Sequence, residues 1–144
     1  MITVPELINY LSQAYFVSLR AKSLHEKILE YKDLAMKQTS AWSETPSGGR
    51  TGSSPQAVWI EKMIETQELL SRTETKLLDK ERKIREIIEF LPDELEKGIL
   101  EDYHLNRMEI GYKYSYDERQ IRRIRNRAYN QLVIILNQTG YDLR

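Results

Sequence analysis

Side chains that can hydrogen-bond to nucleic acid are concentrated near the end of the chain. Arg119, Arg123 and Arg127 stand four residues apart, so on a helix they lie along one face. Three more hydrogen-bonding residues lie beside them: Gln120, Arg122 and Asn126. Arginine matches guanine edges and phosphates, while asparagine and glutamine match adenine, so this set is typical of a helix that reads the major groove of duplex DNA.

Charge is sharply divided along the chain, although its 22 basic and 22 acidic residues cancel. The stretch Asp93–Glu118 has a net charge of −5, and Arg119–Tyr141 has five arginines and no acid. The three stacked arginines repel one another without a compensating glutamate, which favours a partner outside the chain. The alternative is a solvated helix face that pairs with Glu101 and Asp102.

The arginines belong to a C-terminal unit, residues 92–144, for which the pattern predicts three helices. The predicted helices run from about Asp93 to His104, from about Met108 to Tyr114, and from Glu118 to about Asn137. Asp117 is the expected N-cap of the last helix, with Gln120 completing a variant capping box. The apolar stripe of that helix, expected to be buried, comprises Ile121, Ile124, Ala128, Leu132 and Ile135. A basic helix in this last position has the order of a helix-turn-helix reader.

The stretch ILEDYHLNRMEIGYKYSYDERQIRRIRNRAYNQL resembles the helix-turn-helix of sigma-factor region four. It resembles more closely the C-terminal part of phage and prophage late-gene transcription regulators of the RinA and ArpU type in Gram-positive bacteria. The positions that hold that motif together are matched by Ile110, Gly111, Asp117 and Ile121, with Gly111 in place of the usual alanine.

This resemblance implies a sequence-specific, double-stranded DNA-binding transcription regulator encoded by a phage or prophage. The residues expected to meet base edges are Arg119, Gln120, Arg123 and Asn126, and those expected to hold phosphates are Arg122, Arg125 and Arg127. RNA polymerase is a further candidate partner. The competing hypothesis is a helical protein–protein interaction or assembly protein that does not bind DNA.

Two long helices are predicted before this unit, because apolar residues recur there at heptad spacing. Thr3 and Glu6 form a potential capping box for a helix from Pro5 to about Ala41. Its apolar positions are Leu7, Tyr10, Ala14, Val17, Ala21, Leu24, Ile28, Tyr31 and Ala35. The second helix starts at Ser54 and Pro55 and stops before Pro92. Its heptad positions are Met63, Leu70, Leu77, Ile84 and Leu91, flanked by Ile60, Ile64, Leu78, Ile87 and Ile88.

The two long helices are expected to form an antiparallel, coiled-coil-like hairpin over residues 1–91, with a flexible loop at about 42–54. Parallel pairing between chains is the rival arrangement. Thr66, Thr73 and Lys80 interrupt the apolar positions of the second helix. Trp42 and Trp59 flank the loop and could close its tip by packing together. Because two helices alone leave apolar surface wet, we expect a homo-oligomer, either a dimer or a larger bundle.

The composition favours an all-α protein and no enzyme signature is found. The chain has no cysteine, and its two histidines, His25 and His104, lack the spacing of metal ligands, so we expect no metal and no cofactor. Gly48, Gly49 and Gly52 lack the lysine of a phosphate-binding loop. The sequence shows neither a membrane-spanning apolar run nor a signal peptide, so the expected location is the cytoplasm of a bacterial host cell, with no membrane partner.

Overall fold

The structure, a computed structural model, describes residues 1–44, 54–107 and 113–143, and the side chains of these residues outside 38–44. This part of the chain is all-α, as predicted. Its helices are α1 (Val4–Leu11), α2 (Gln13–Glu44), α3 (Pro55–Ile88), α4 (Glu94–Glu101) and α5 (Glu118–Thr139), with a π-helical segment, Asp102–Asn106, after α4.

The first predicted helix is divided in two at Ser12. The capping box at its start is confirmed, since the Thr3 hydroxyl accepts from the Glu6 amide and the Glu6 carboxylate accepts from the Thr3 amide. At Ser12 the helical pattern is interrupted for one residue. The apolar positions predicted along α1 and α2 are all buried or half-buried, so the heptad pattern is confirmed here.

Helix α3 begins where predicted, with the Ser54 hydroxyl accepting from the Ala57 amide at 3.1 Å. Its heptad positions are buried or half-buried, and Thr66 and Thr73 are half-buried among them. Each threonine hydroxyl donates to a carbonyl four residues earlier in its own helix, which satisfies its hydrogen bonding.

The expected flanking residues of α3 divide into two groups. Ile87 and Ile88 are buried, but Ile60, Ile64 and Leu78 are 37%, 48% and 67% exposed. These three each follow a heptad or half-buried position by one residue, which turns the side chain by about 100° away from it.

The chain forms two compact units whose limits differ from the predicted division between residues 91 and 92. One unit combines Met1–Phe16 with Leu77–Arg144, and the other is Val17–Lys76. The core of the first contains residues from α1, the end of α3 and α5, including Leu7, Ile87 and Leu132. Asn137 joins its ends, because its side chain accepts from the Ile2 amide at 2.7 Å and donates to the Ile2 carbonyl at 3.0 Å.

The second unit is held by the heptad positions of α2 and α3. Leu24, Ile28 and Ala35 are buried, and Tyr31 stacks on Trp59 with ring centroids 6.0 Å apart. The packing of Trp42 against Trp59 lies outside the described side chains. The contacts along α2 and α3 run in opposite senses, since Gln13 bonds to Lys80 within the first unit and Tyr31 contacts Trp59 within the second. This is the order of an antiparallel pair.

The first and last of the three predicted C-terminal helices agree closely with their predicted limits. Asp93 caps α4, which ends at Glu101 and continues as the π-helical segment to Asn106. The predicted helix from Met108 to Tyr114 falls mainly on residues 108–112, outside the described residues. In the stripe predicted for α5, Ile121, Ala128 and Leu132 are buried, while Ile124 and Ile135 are half-buried.

Candidate nucleic-acid interface

The start of α5 is fixed by the predicted capping box. The Asp117 carboxylate accepts from the Gln120 amide at 2.7 Å, and the Gln120 side chain accepts from the Asp117 amide at 3.2 Å. At the other end Gly140 ends the helix in the left-handed conformation, with φ of 69°. The side-chain oxygen of Gln120 is thus already engaged by the backbone, which leaves its amide group as the part that can reach a ligand.

All six residues predicted as the DNA-binding set are exposed on α5, namely Arg119, Gln120, Arg122, Arg123, Asn126 and Arg127. At 3.6 residues per turn, Arg119, Arg123 and Asn126 fall within about 60° of one another on the side opposite the buried stripe. Among the described residues, no carboxylate lies within 4.0 Å of Arg119 or Arg123. These three residues, with Asn130 added below, are called the outward stripe.

Asn130 belongs to the outward stripe although the sequence reasoning missed it. It is exposed and follows Asn126 by four residues, and its side-chain amide donates to the Asn126 carbonyl at 3.0 Å. The four-residue spacing, already used for the arginines, was the signal that could have identified it.

Two of the predicted arginines are paired within the chain. Arg127 donates through Nε to Glu96 at 2.9 Å, and the Glu96 side chain is only 6% exposed. Arg122 lies 3.5 Å from Glu118, an exposed pair of modest strength. The expectation that the arginines lack a compensating glutamate is therefore wrong for Arg127.

Arg125, expected to hold a phosphate, lies on a different side of α5. Its guanidinium sits 4.1 Å from the ring centroid of Tyr103, and its side chain is half-buried. Arg107 lies over Tyr15 at 3.6 Å and over Tyr103 at 5.7 Å. Two cations thus contact Tyr103, and a stacked guanidinium gains from the ring electrons where it sits. Arg125 therefore supports the packing of α5 rather than its exposed surface.

The alternative pairing of the arginines with Glu101 and Asp102 is not observed among the described residues, although Arg127 pairs with Glu96 of the helix that contains Glu101. Asp102 is buried and accepts hydrogen bonds at 2.8 Å from Asn106, Lys113 and Tyr114. Burial alone would raise the pKa of Asp102, but these hydrogen bonds outweigh it and hold the pKa below its ordinary value. Tyr114 is affected in turn, since burial and the bond to this carboxylate raise its pKa to about 12.

His104, expected at a helix end, is buried inside the π-helical segment. Its Nε2 lies 2.6 Å from the Tyr129 hydroxyl, and Nδ1 has no hydrogen-bond partner among the described residues. Burial, with Arg107 and Arg125 nearby, lowers the pKa of His104 to about 3. An imidazole that stays neutral at physiological pH serves here as packing, together with the hydroxyl of Tyr129.

The structure contains no group of three metal-ligating side chains among the residues that it describes. None of the described helices combines the length and apolar character needed to span a bilayer. Comparison with protein-family models, with curated proteins and with solved structures found no match for this chain.

Proposed function

We propose that this chain is a sequence-specific double-stranded DNA-binding transcription regulator of phage or prophage origin that acts as a homo-oligomer. The observation that carries the proposal is the outward stripe, where Arg119, Arg123 and Asn126 are exposed on one side of a capped helix. Arginine and asparagine there have the forked donors and acceptors that guanine and adenine edges require. RNA polymerase is a candidate protein partner under this proposal.

Within this proposal the helix α5 enters the major groove through its first three turns. Arg123 and Asn126 read base edges, and Arg122 holds a phosphate, because its exposed pair with Glu118 is easily exchanged for a stronger anion. Arg127 is already paired with buried Glu96, so a DNA phosphate must compete with this carboxylate for the Arg127 guanidinium. Arg125 is reassigned from phosphate binding to packing on Tyr103.

The alternative function, a protein-interaction module without DNA binding, has one observation in its favour. Ile134 is 55% exposed on α5, about 20° of helix rotation and about three turns from Arg123. Protein–protein interfaces combine buried apolar side chains with charged ones, whereas helices that recognise DNA bases do so chiefly through hydrogen-bonding side chains. A single apolar residue beside four polar ones favours DNA.

The decisive experiment is fluorescence anisotropy of the full chain with a pool of duplex DNA at about 50 and 200 mM salt. We expect binding whose logarithmic salt slope is about −3 to −4.5, from three to five phosphate contacts per chain. An Arg119→Ala, Arg123→Ala variant should lose most of this binding. The matched control, Arg72→Ala with Lys76→Ala, removes the same charge from exposed sites on α3 and should bind as the wild type does.

Selection of a preferred site from the pool then separates base reading from phosphate binding. Arg123→Ala should cost about 1–3 kcal/mol on the selected site and relax the preference at one base pair. An equal loss on every sequence would show that Arg123 holds a phosphate instead. If the wild type binds no DNA at the lower salt, the proposal fails and a protein partner becomes the better explanation.

A further inference from the structure

On one side of the α2–α3 pair, large apolar side chains are exposed to solvent on both helices. Leu29 and Met36 on α2 are 54% and 65% exposed, and Ile60 and Ile64 on α3 are 37% and 48% exposed. These four residues are called the apolar side. Side chains of this size gain free energy by leaving water, so a contiguous group of them marks an interaction surface.

The four residues lie together because of their register. Each follows a buried or half-buried position by one residue, Leu29 after Ile28 and Ile60 after Trp59, for example. In two antiparallel helices that face each other, the residue after an inward position is turned to the same side of the pair on both helices. The Tyr31–Trp59 stack shows that these two residues are at the same height along the antiparallel helices. Leu29, two residues before Tyr31, is therefore at a height between those of Ile60 and Ile64.

We propose that the occupant of the apolar side is a second copy of this chain, related by a two-fold axis parallel to the helices. That operation places α2 of one copy against α3 of the other, so Leu29 meets Ile60 and Ile64 of its partner. The surface is then self-complementary, as an isologous interface requires. The inference deepens the proposed self-association and rests on it, independently of DNA binding.

Charge selects this two-fold axis over one that sets like helices together. On this side of the helix pair lie the residues that directly follow the buried or half-buried positions where α2 and α3 face each other. In this unit the charged ones are Lys22 and Lys32 on α2, with no acid, and Glu74 on α3, with no cation. Pairing α2 with α2 would oppose lysines, while pairing α2 with the partner's α3 brings opposite signs together.

Lys22 and Glu68 make the arrangement testable. Lys22 lies nine residues before Tyr31 and Glu68 lies nine residues after Trp59, so they are level along the helices. Within one chain they point to opposite outer edges of the helix pair, too far apart to interact. Across the proposed axis, Lys22 of one copy and Glu68 of the other share an edge, and each dimer contains this pair twice.

The first test measures the mass of the full chain in solution without DNA, by sedimentation equilibrium from about 1 to 100 μM. We expect twice the 17.1 kDa of one chain for the wild type. Leu29→Glu with Ile64→Glu should give the monomer. Leu19→Glu with Leu69→Glu, at sites 43% and 40% exposed on other sides of the helices, is the matched control and should stay dimeric.

The second test is a charge swap, which does not risk the fold because both sites are exposed. Lys22→Glu and Glu68→Lys should each raise the dimer dissociation constant by about tenfold, and the double variant should restore it. A monomeric wild type would overturn the proposed self-association and this inference with it. A dimer that withstands Leu29→Glu with Ile64→Glu, or shows no rescue in the swap, would overturn the assigned face alone.

Discussion

At the scale of single residues, the surface of α5 was more predictable than its contacts. The six candidate residues are exposed as the helical spacing indicated, since spacing fixes direction on a helix. The partners of Arg127 and Arg125 were not predictable in the same way. Glu96 lies 31 residues from Arg127 in the sequence, and only the packing of α4 on α5 brings them together.

Buried His104 predicts a dependence of stability on pH. Unfolding exposes its imidazole, which then takes up a proton near pH 6.5, whereas the folded state holds it neutral down to about pH 3. The contribution of His104 to the free energy of unfolding is therefore at its full value above pH 6.5. It decreases as the pH drops toward 3, by up to about 1.4 kcal/mol per pH unit.

Urea unfolding at pH 7 and pH 5 measures this effect. His104→Gln should lose less stability than the wild type between these two values, because glutamine takes up no proton on unfolding. His25→Gln, which alters an exposed histidine, is the control and should follow the wild type. An unchanged pH dependence in His104→Gln would contradict the buried, neutral state.

At the scale of elements, Gly98 allows α4 to approach Tyr114. A Cβ atom at Gly98 would lie 2.6 Å from the Tyr114 hydroxyl oxygen, which donates to the Asp102 carboxylate. A larger side chain at this position must displace that oxygen from its hydrogen-bonding position. The glycine sits in an otherwise ordinary helix, so its role is spatial rather than conformational.

Gly98→Ala should therefore destabilise the protein although alanine favours helix. The helix gains about 1 kcal/mol, but losing a hydrogen bond to a buried carboxylate costs about 1.5–3 kcal/mol. In a Tyr114→Phe background the colliding oxygen is gone, so Gly98→Ala should become neutral or stabilising. Urea unfolding of the four proteins measures this cycle, and equal effects of Gly98→Ala in both backgrounds would rule out the contact.

Element limits were largely predictable from local chemistry. Thr3, Ser54 and Asp117 each mark a helix start, and their side chains make the expected caps. The interruption at Ser12 and the π-helical segment were not predicted, because no glycine or proline marks either position. The exposure of Ile60 and Ile64 could not be read from the heptad pattern, because it does not say which of two adjacent apolar residues faces the neighbouring helix.

At the scale of the whole molecule, heptads predicted α2 and α3 but not the unit to which each end belongs. Heptad spacing is a local signal, whereas the grouping of Met1–Phe16 with the C-terminal half depends on contacts between distant residues. Asn137 is an example, because it bonds a residue 135 positions away. No sequence motif predicts a hydrogen bond between residues so far apart in the chain.

Asn137→Ala should destabilise this unit by about 1–2 kcal/mol, since two hydrogen bonds to the Ile2 backbone are lost. Urea unfolding followed by circular dichroism measures the loss. Gln138→Ala, at the next and exposed position, is the control and should change stability by less than about 0.5 kcal/mol. Equal effects at the two positions would indicate that the Asn137 bonds contribute nothing to stability.

The shared core of α1 and α5 also sets an order of events during translation. Residues 1–16 are synthesised long before Leu132 and Leu136, which are among their partners in the core. All residues of the unit Val17–Lys76, by contrast, are synthesised before α5 begins. The apolar face of α1 therefore lacks part of its core until α5 has been made, and the arginine-bearing helix packs on residues synthesised long before it.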